Sequence, residues 1–228
     1  MNRPVTNGEV VAEAALVLAV ILGGSALSAW TGSIGFGVTA VVLALLLATY
    51  LLRRSGESWR DMGLRRPSGW GKAILAAVLT YIAMAATVGV AVPLALSAFG
   101  LDGPTLSQFA GLEGNLPLLL FFLGPIAWGT AAFGEEMVVR GFLLDRLSIV
   151  FAREHRAWGV AVAVQAILFG LAHAYQGVSG VVTTATLGLV LGIAYLKVGR
   201  NLWPVIIAHG VADTVSLIAI YLGALPTS

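Results

Sequence analysis

Cysteine is absent from this chain, which excludes disulfides, thiolate nucleophiles and cysteine-ligated zinc at the outset. Charge is scarce too: 11% of residues are Asp, Glu, Lys or Arg, against roughly 25% in soluble domains. So small a supply cannot cover a globular surface. With 58% hydrophobic residues, the chain must take lipid as its outer solvent. A formal net charge of +2 is too small for a nucleic-acid footprint, so membrane lipid is the expected surrounding and nucleic acid is not an expected partner. No internal repeat and no long linker is visible. The chain reads as a single membrane domain over 1–228.

What the sequence does have is a series of long uncharged runs. A spanning helix needs about 20 apolar residues. The runs predict an all-α bundle of about seven transmembrane helices, near 10–30, 34–52, 73–99, 116–134, 158–174, 178–196 and 203–223. The fourth is expected to continue as a helix to about 148, because Phe142, Leu143, Leu147, Ile149 and Val150 extend its apolar pattern beyond the charges. The first run is a poor signal peptide, since Glu9 and Glu13 intrude and only Arg3 precedes them.

The 13 Lys and Arg residues fall in four places: Arg3, Arg53 to Lys72, Arg140 to Arg156, and Lys197 with Arg200. These are the N-terminus and every second connection. The connections at 31–33, 100–115 and 175–177 carry none. By the positive-inside rule, the N-terminus is expected in the cytoplasm and the C-terminus outside.

An ionisable side chain inside a span costs a few kcal/mol, so each one is a candidate functional group. Apart from Glu9 and Glu13 near an end, these are Glu135, Glu136, Arg140, His173, His209 and Asp213. His155 falls in a basic loop and is expected to be solvated. Glu136 and Arg140 are four apart and can pair on one helical face. On an α-helix Glu135 points about 100° away and has no partner of its own. His209 and Asp213 repeat the four-residue spacing on the last span, as Phe169 and His173 do on the fifth.

Structural roles account for some of these groups: an ion pair for Glu136 and Arg140, a helix–helix hydrogen bond for His173, an orienting role for Asp213. Polar groups on three separate helices are better explained by convergence on one site. Carboxylate and imidazole can activate water or bind a metal, and the residue types do not choose between the two. The zinc-protease pattern H-E-x-x-H is absent. Counted from the turn near 150–157, Glu135 and His173 lie about 20–25 Å up their helices, but His209 only about 10 Å from its own turn. A shared site therefore requires tilt or a displaced helix.

Three motifs occur in order: Glu135-Glu136-Met137-Val138-Val139-Arg140 (E-E-x-x-x-R), Phe169 to His173 (F-x-x-x-H) and His209 to Asp213 (H-x-x-x-N/D). Together they resemble the CPBP family of CaaX proteases and bacteriocin-processing enzymes, also called Abi. The flanks fit as well: Arg140-Gly141-Phe142-Leu143, Leu202-Trp203-Pro204 and Met62-Gly63-Leu64-Arg65-Arg66-Pro67. The resemblance places a catalytic core at 116–223 and implies an intramembrane endopeptidase acting on a peptide or lipidated peptide. It makes Glu135 the general base for the attacking water, assisted by His173. His209 and Asp213 would face the developing oxyanion, with Glu136 and Arg140 in support. Asp213 stands where the CaaX-protease pattern carries Asn, and an ionised Asp cannot donate a hydrogen bond. Either Asp213 is protonated or it serves to hold His209.

Family members have been described both as metalloproteases and as metal-independent glutamate proteases. The second, with no cofactor, is the expectation here. A zinc ion on Glu135, His173 and His209 is the alternative. Two rival readings remain, a proton-coupled transporter and a non-catalytic scaffold or bacteriocin-immunity protein.

Overall fold

Among the described residues, seven helices follow one another with no strand between them. They are α1 (Asn7–Thr31), α2 (Ile34–Ser55), α3 (Trp70–Ala98), α4 (Leu116–Val150), α5 (His155–Leu171), α6 (Gly177–Lys197) and α7 (Leu202–Tyr221). The computed structural model describes residues 6–151 and 155–225. Arg3 and Arg153, and the side chains of His155 and Arg156, lie outside that description. Six of the helices are long and apolar enough to cross a membrane, and α5 is shorter. Large apolar side chains such as Leu46, Leu79 and Leu94 face outward along these rods, as lipid-facing surfaces require. Trp30 and Phe99 are exposed near one end of the bundle, Tyr50 and Trp70 near the other, matching the aromatic belts of membrane interfaces. The chain is an integral membrane protein.

Local chemistry sets the helix limits. Thr6 and Glu9 form a reciprocal capping box at the start of α1. The left-handed residues Gly32 and Gly56 end α1 and α2. In α4, Pro125 removes one donor, and the backbone runs with i→i+5 hydrogen bonds from Phe122 to Leu143. Such π geometry usually occupies a single turn and often marks functional sites. Here it extends over 22 residues that include the whole first motif. The 100° step expected for Glu135 therefore does not apply to this stretch.

At 35 residues, α4 is longer than a bilayer needs, and its overrun resolves the mismatch in depth. The start of α7 is not level with the end of α4. Leu202 lies beside Gly141, where an added Cβ would touch both Leu202 Cδ1 and the Met62 carbonyl. His209 is thus raised to the level of Glu136 while α4 projects onward to Val150. The three flanking motifs around Met62, Gly141 and Leu202 meet at this one point.

The two ends of the bundle differ. At the basic end, the segment after α2 folds back under the bundle. Tyr195 donates to the Met62 carbonyl at 2.8 Å, Leu202 N–H to the Gly63 carbonyl at 3.0 Å, and Asn201 Nδ2 to the Arg65 carbonyl at 3.0 Å. Gly63, at φ 99°, has its missing side chain aimed at the Arg200 carbonyl, so no other residue fits there. Arg146 of α4 binds Glu13 of α1 at 2.9 Å, Glu57 at 2.6 Å and its neighbour Asp145 at 3.2 Å. At the opposite end the 99–115 connection crosses over the bundle. It is held by Thr105 N–H to the Gln176 carbonyl (3.2 Å), Ser179 Oγ to the Asp102 carbonyl (2.5 Å) and Gly114 N–H to the Tyr221 carbonyl (3.0 Å).

Candidate active site

The first motif lies in the middle of the bundle. Glu136 and Arg140 have no exposed surface, and their ion pair closes at 2.8 Å. A charge pair so deeply buried needs further partners, and both other motifs supply them. His209 of α7 places Nδ1 2.9 Å from the same Glu136 oxygen. Phe169 of α5 lays its ring under the Arg140 guanidinium, 4.3 Å from the centroid. One ion pair on α4 therefore fixes α5 and α7 against it.

His173 lies beyond the helix that was expected to carry it. α5 ends at Leu171, and His173 opens the short 3₁₀ turn Ala174–Gln176. Its Nδ1 is 2.9 Å from the Phe169 carbonyl, one that the ending helix leaves free, and its ring meets Phe169 edge-on at 4.9 Å. If Nδ1 carries the proton, it donates to that carbonyl and Nε2 is left as an acceptor. On α7, Asp213 Oδ2 is 3.7 Å from His209 Nε2, too long for a hydrogen bond but close enough to orient the ring. Trp128 of α4 braces the same helix, its indole N–H donating to Thr214 at 3.1 Å.

Glu135, His173, His209 and Asp213 all line one cavity of about 360 Å³. Its walls are otherwise largely apolar and include Val139, Leu187 and Leu217. The expected convergence from three helices is present in the geometry, with Glu136 and Arg140 behind the wall rather than in it. Tyr175 also reaches the cavity, its ring 5.8 Å from that of His173. Sequence reasoning missed Tyr175; its place two residues after His173, in a turn, was the available signal. The Arg146 network was missed as well. Its clue was Glu13, an acid inside an apolar run with Val17 at i+4. Among the described residues, no three His, Asp or Glu side chains gather closely enough to hold a metal ion.

A helical membrane bundle with ionisable side chains facing a chamber between its helices is the arrangement of an intramembrane enzyme or transporter. Residues 116–215 match the family model of the type II CAAX prenyl endopeptidase Rce1-like proteins, which belong to the CPBP family. That match supports an intramembrane endopeptidase in general terms. No curated protein and no solved structure matches the chain.

Proposed function

We propose that this protein is a metal-independent intramembrane endopeptidase that cleaves a membrane-associated or lipidated peptide. The observation that carries the reading is that Glu135, His173, His209 and Asp213 together line one largely apolar cavity. A water between Glu135 and His173 Nε2 loses a proton to the Glu135 carboxylate as its oxygen attacks the peptide carbonyl carbon. The carbonyl oxygen becomes an oxyanion beside His209. Two carboxylates flank His209, Glu136 at Nδ1 and Asp213 near Nε2. A ring so placed can donate from both nitrogens only as the imidazolium. Nε2–H, without a close acceptor, is the donor for the oxyanion. Collapse breaks the C–N bond, and Glu135 passes its proton to the leaving amine. In this reading Asp213 holds and charges His209 rather than touching the oxyanion. Arg140 and Glu136 support the ring from behind.

The wall chemistry suits an apolar chain beside the scissile bond. We place the N-terminus in the cytoplasm, following the distribution of Lys and Arg. The test is Glu135→Gln, which keeps shape and removes the base. Purified protein should fold normally and lose cleavage of a membrane-peptide library, read by mass spectrometry. Wild-type turnover in that variant would refute the assignment.

A further inference from the structure

The helices that line the chamber do so with their ends toward the connections free of Lys and Arg. α1 contributes Ile21, Ser25 and Ser28, α2 contributes Ile34 to Val41, and α6 contributes Thr183 to Leu187. The two deepest reaches are Val139 on α4 and His209 on α7. The 99–115 connection roofs the chamber with Pro104, Leu106 and Phe109. No described residue of 53–72, 150–157 or 197–202 lines it. At that other end the floor is closed by the Met62–Arg65 backbone bonds and by Arg146 with its three carboxylates.

The charge distribution gives these ends their sides. The floor carries Arg53, Arg54, Arg60, Arg65, Arg66, Lys72, Lys197 and Arg200, whereas the roof carries Asp102 and Glu113 with no cation. Cytoplasmic loops hold the excess of Lys and Arg. Resting on the endopeptidase reading above, we infer that the chamber takes its substrate from the extracytoplasmic side. The substrate class is a peptide whose scissile bond lies in the outer half of the bilayer or just beyond it. A prenylated tail presented from the cytoplasm would meet the closed floor. Entry passes the 102–109 roof, whose polar ties to the bundle in that stretch are the bonds from Thr105 and to Asp102.

Because the chain has no cysteine, sidedness can be read with single introduced thiols. Ser216→Cys and Thr183→Cys place one in the chamber, and Ser68→Cys places one at the floor. Intact cells are treated with a membrane-impermeant maleimide. The chamber variants should label and Ser68→Cys should not, until the cells are permeabilised. Labelling of Ser68→Cys in intact cells, or of the chamber variants only after permeabilisation or in detergent, would overturn the inference. A second arm adds an impermeant peptide to sealed vesicles of each orientation, using wild type and Glu135→Gln. Cleavage should occur only when the chamber faces the peptide, and cleavage only from the floor side would again overturn it. Chamber labelling from outside, with equal peptide profiles for wild type and Glu135→Gln, would leave the sidedness standing and remove the endopeptidase reading.

Discussion

At its basic end the bundle is laced by charge and hydrogen bonds between segments far apart in sequence. At the cation-free end it is held by apolar packing around a hollow. Arg146 ties α1, the segment after α2 and α4 into one plate. At the other end Leu112, Leu119, Phe122, Leu217 and Ile220 pack together, and few polar ties hold the connection above them. The lesson is one of placement. Ion pairs are strong but specific in geometry, so they suit a floor that must stay shut. Apolar contacts tolerate sliding, so they suit an end that admits a chain.

The largest effect that would sharpen this contrast lies at the chamber. Glu135→Gln and His173→Ala should each cost about 10²–10⁴ in rate. Because both would act on one water, the double variant should lose little more than either alone. Additive losses in single-turnover assays would separate the two residues. Next comes the pair behind the wall. Arg140→Ala leaves the fully buried Glu136 with His209 as its remaining partner and should cost about 3 kcal/mol, the lower limit for breaking a buried pair. The loss would be read as a fall in thermal stability in detergent. Normal stability with no activity would mean that Arg140 serves chemistry instead.

Arg146→Ala should weaken the floor by near the same lower limit, about 3 kcal/mol, because Glu57 retains some access to water. The signature is faster hydrogen exchange over 57–65 with the chamber end unchanged. Equal loosening of both ends would erase the contrast drawn above. The smallest effect is expected at Gln165 of α5. It is fully buried, and neither its amide nitrogen nor its oxygen has a hydrogen-bond partner among the described residues. Gln165→Leu removes two unsatisfied groups at similar volume and should leave stability equal or raise it by about 1 kcal/mol. A loss of activity without a loss of stability would point to a role at α5–α6 that packing does not explain.

Much of this was legible in the sequence, for identifiable reasons. Each expected span falls on a helix, because lipid forces unbroken apolar runs and those runs are local. The continuation of α4 past Arg140 was legible from Phe142 to Val150. The Glu136–Arg140 pair was legible from its four-residue spacing. Contacts set by chain return were not. Arg146 reaches Glu13 across 133 positions, and no periodicity announces that meeting. The end of α5 at Leu171 was missed because Ala172 and Ala174 read as helix formers and the turn carries no proline. The π winding of α4 was missed too, since an apolar run looks alike at either pitch. The mismatch in depth came from assuming that neighbouring helices start level. Leu202 against Gly141 shows that they do not.

Trp128 carries a consequence of its own. Its six-membered ring lies flat on Gly210, where even a methyl group would come within 2.7 Å of the aromatic carbons. Gly210 directly follows His209, so the thickness of one indole acts as a spacer gauge between α4 and the imidazole. A thinner ring there would let α7 settle inward, and any side chain at Gly210 would push it away. The reach from His209 to Glu136 is therefore machined by an aromatic side chain seated on the residue next to His209.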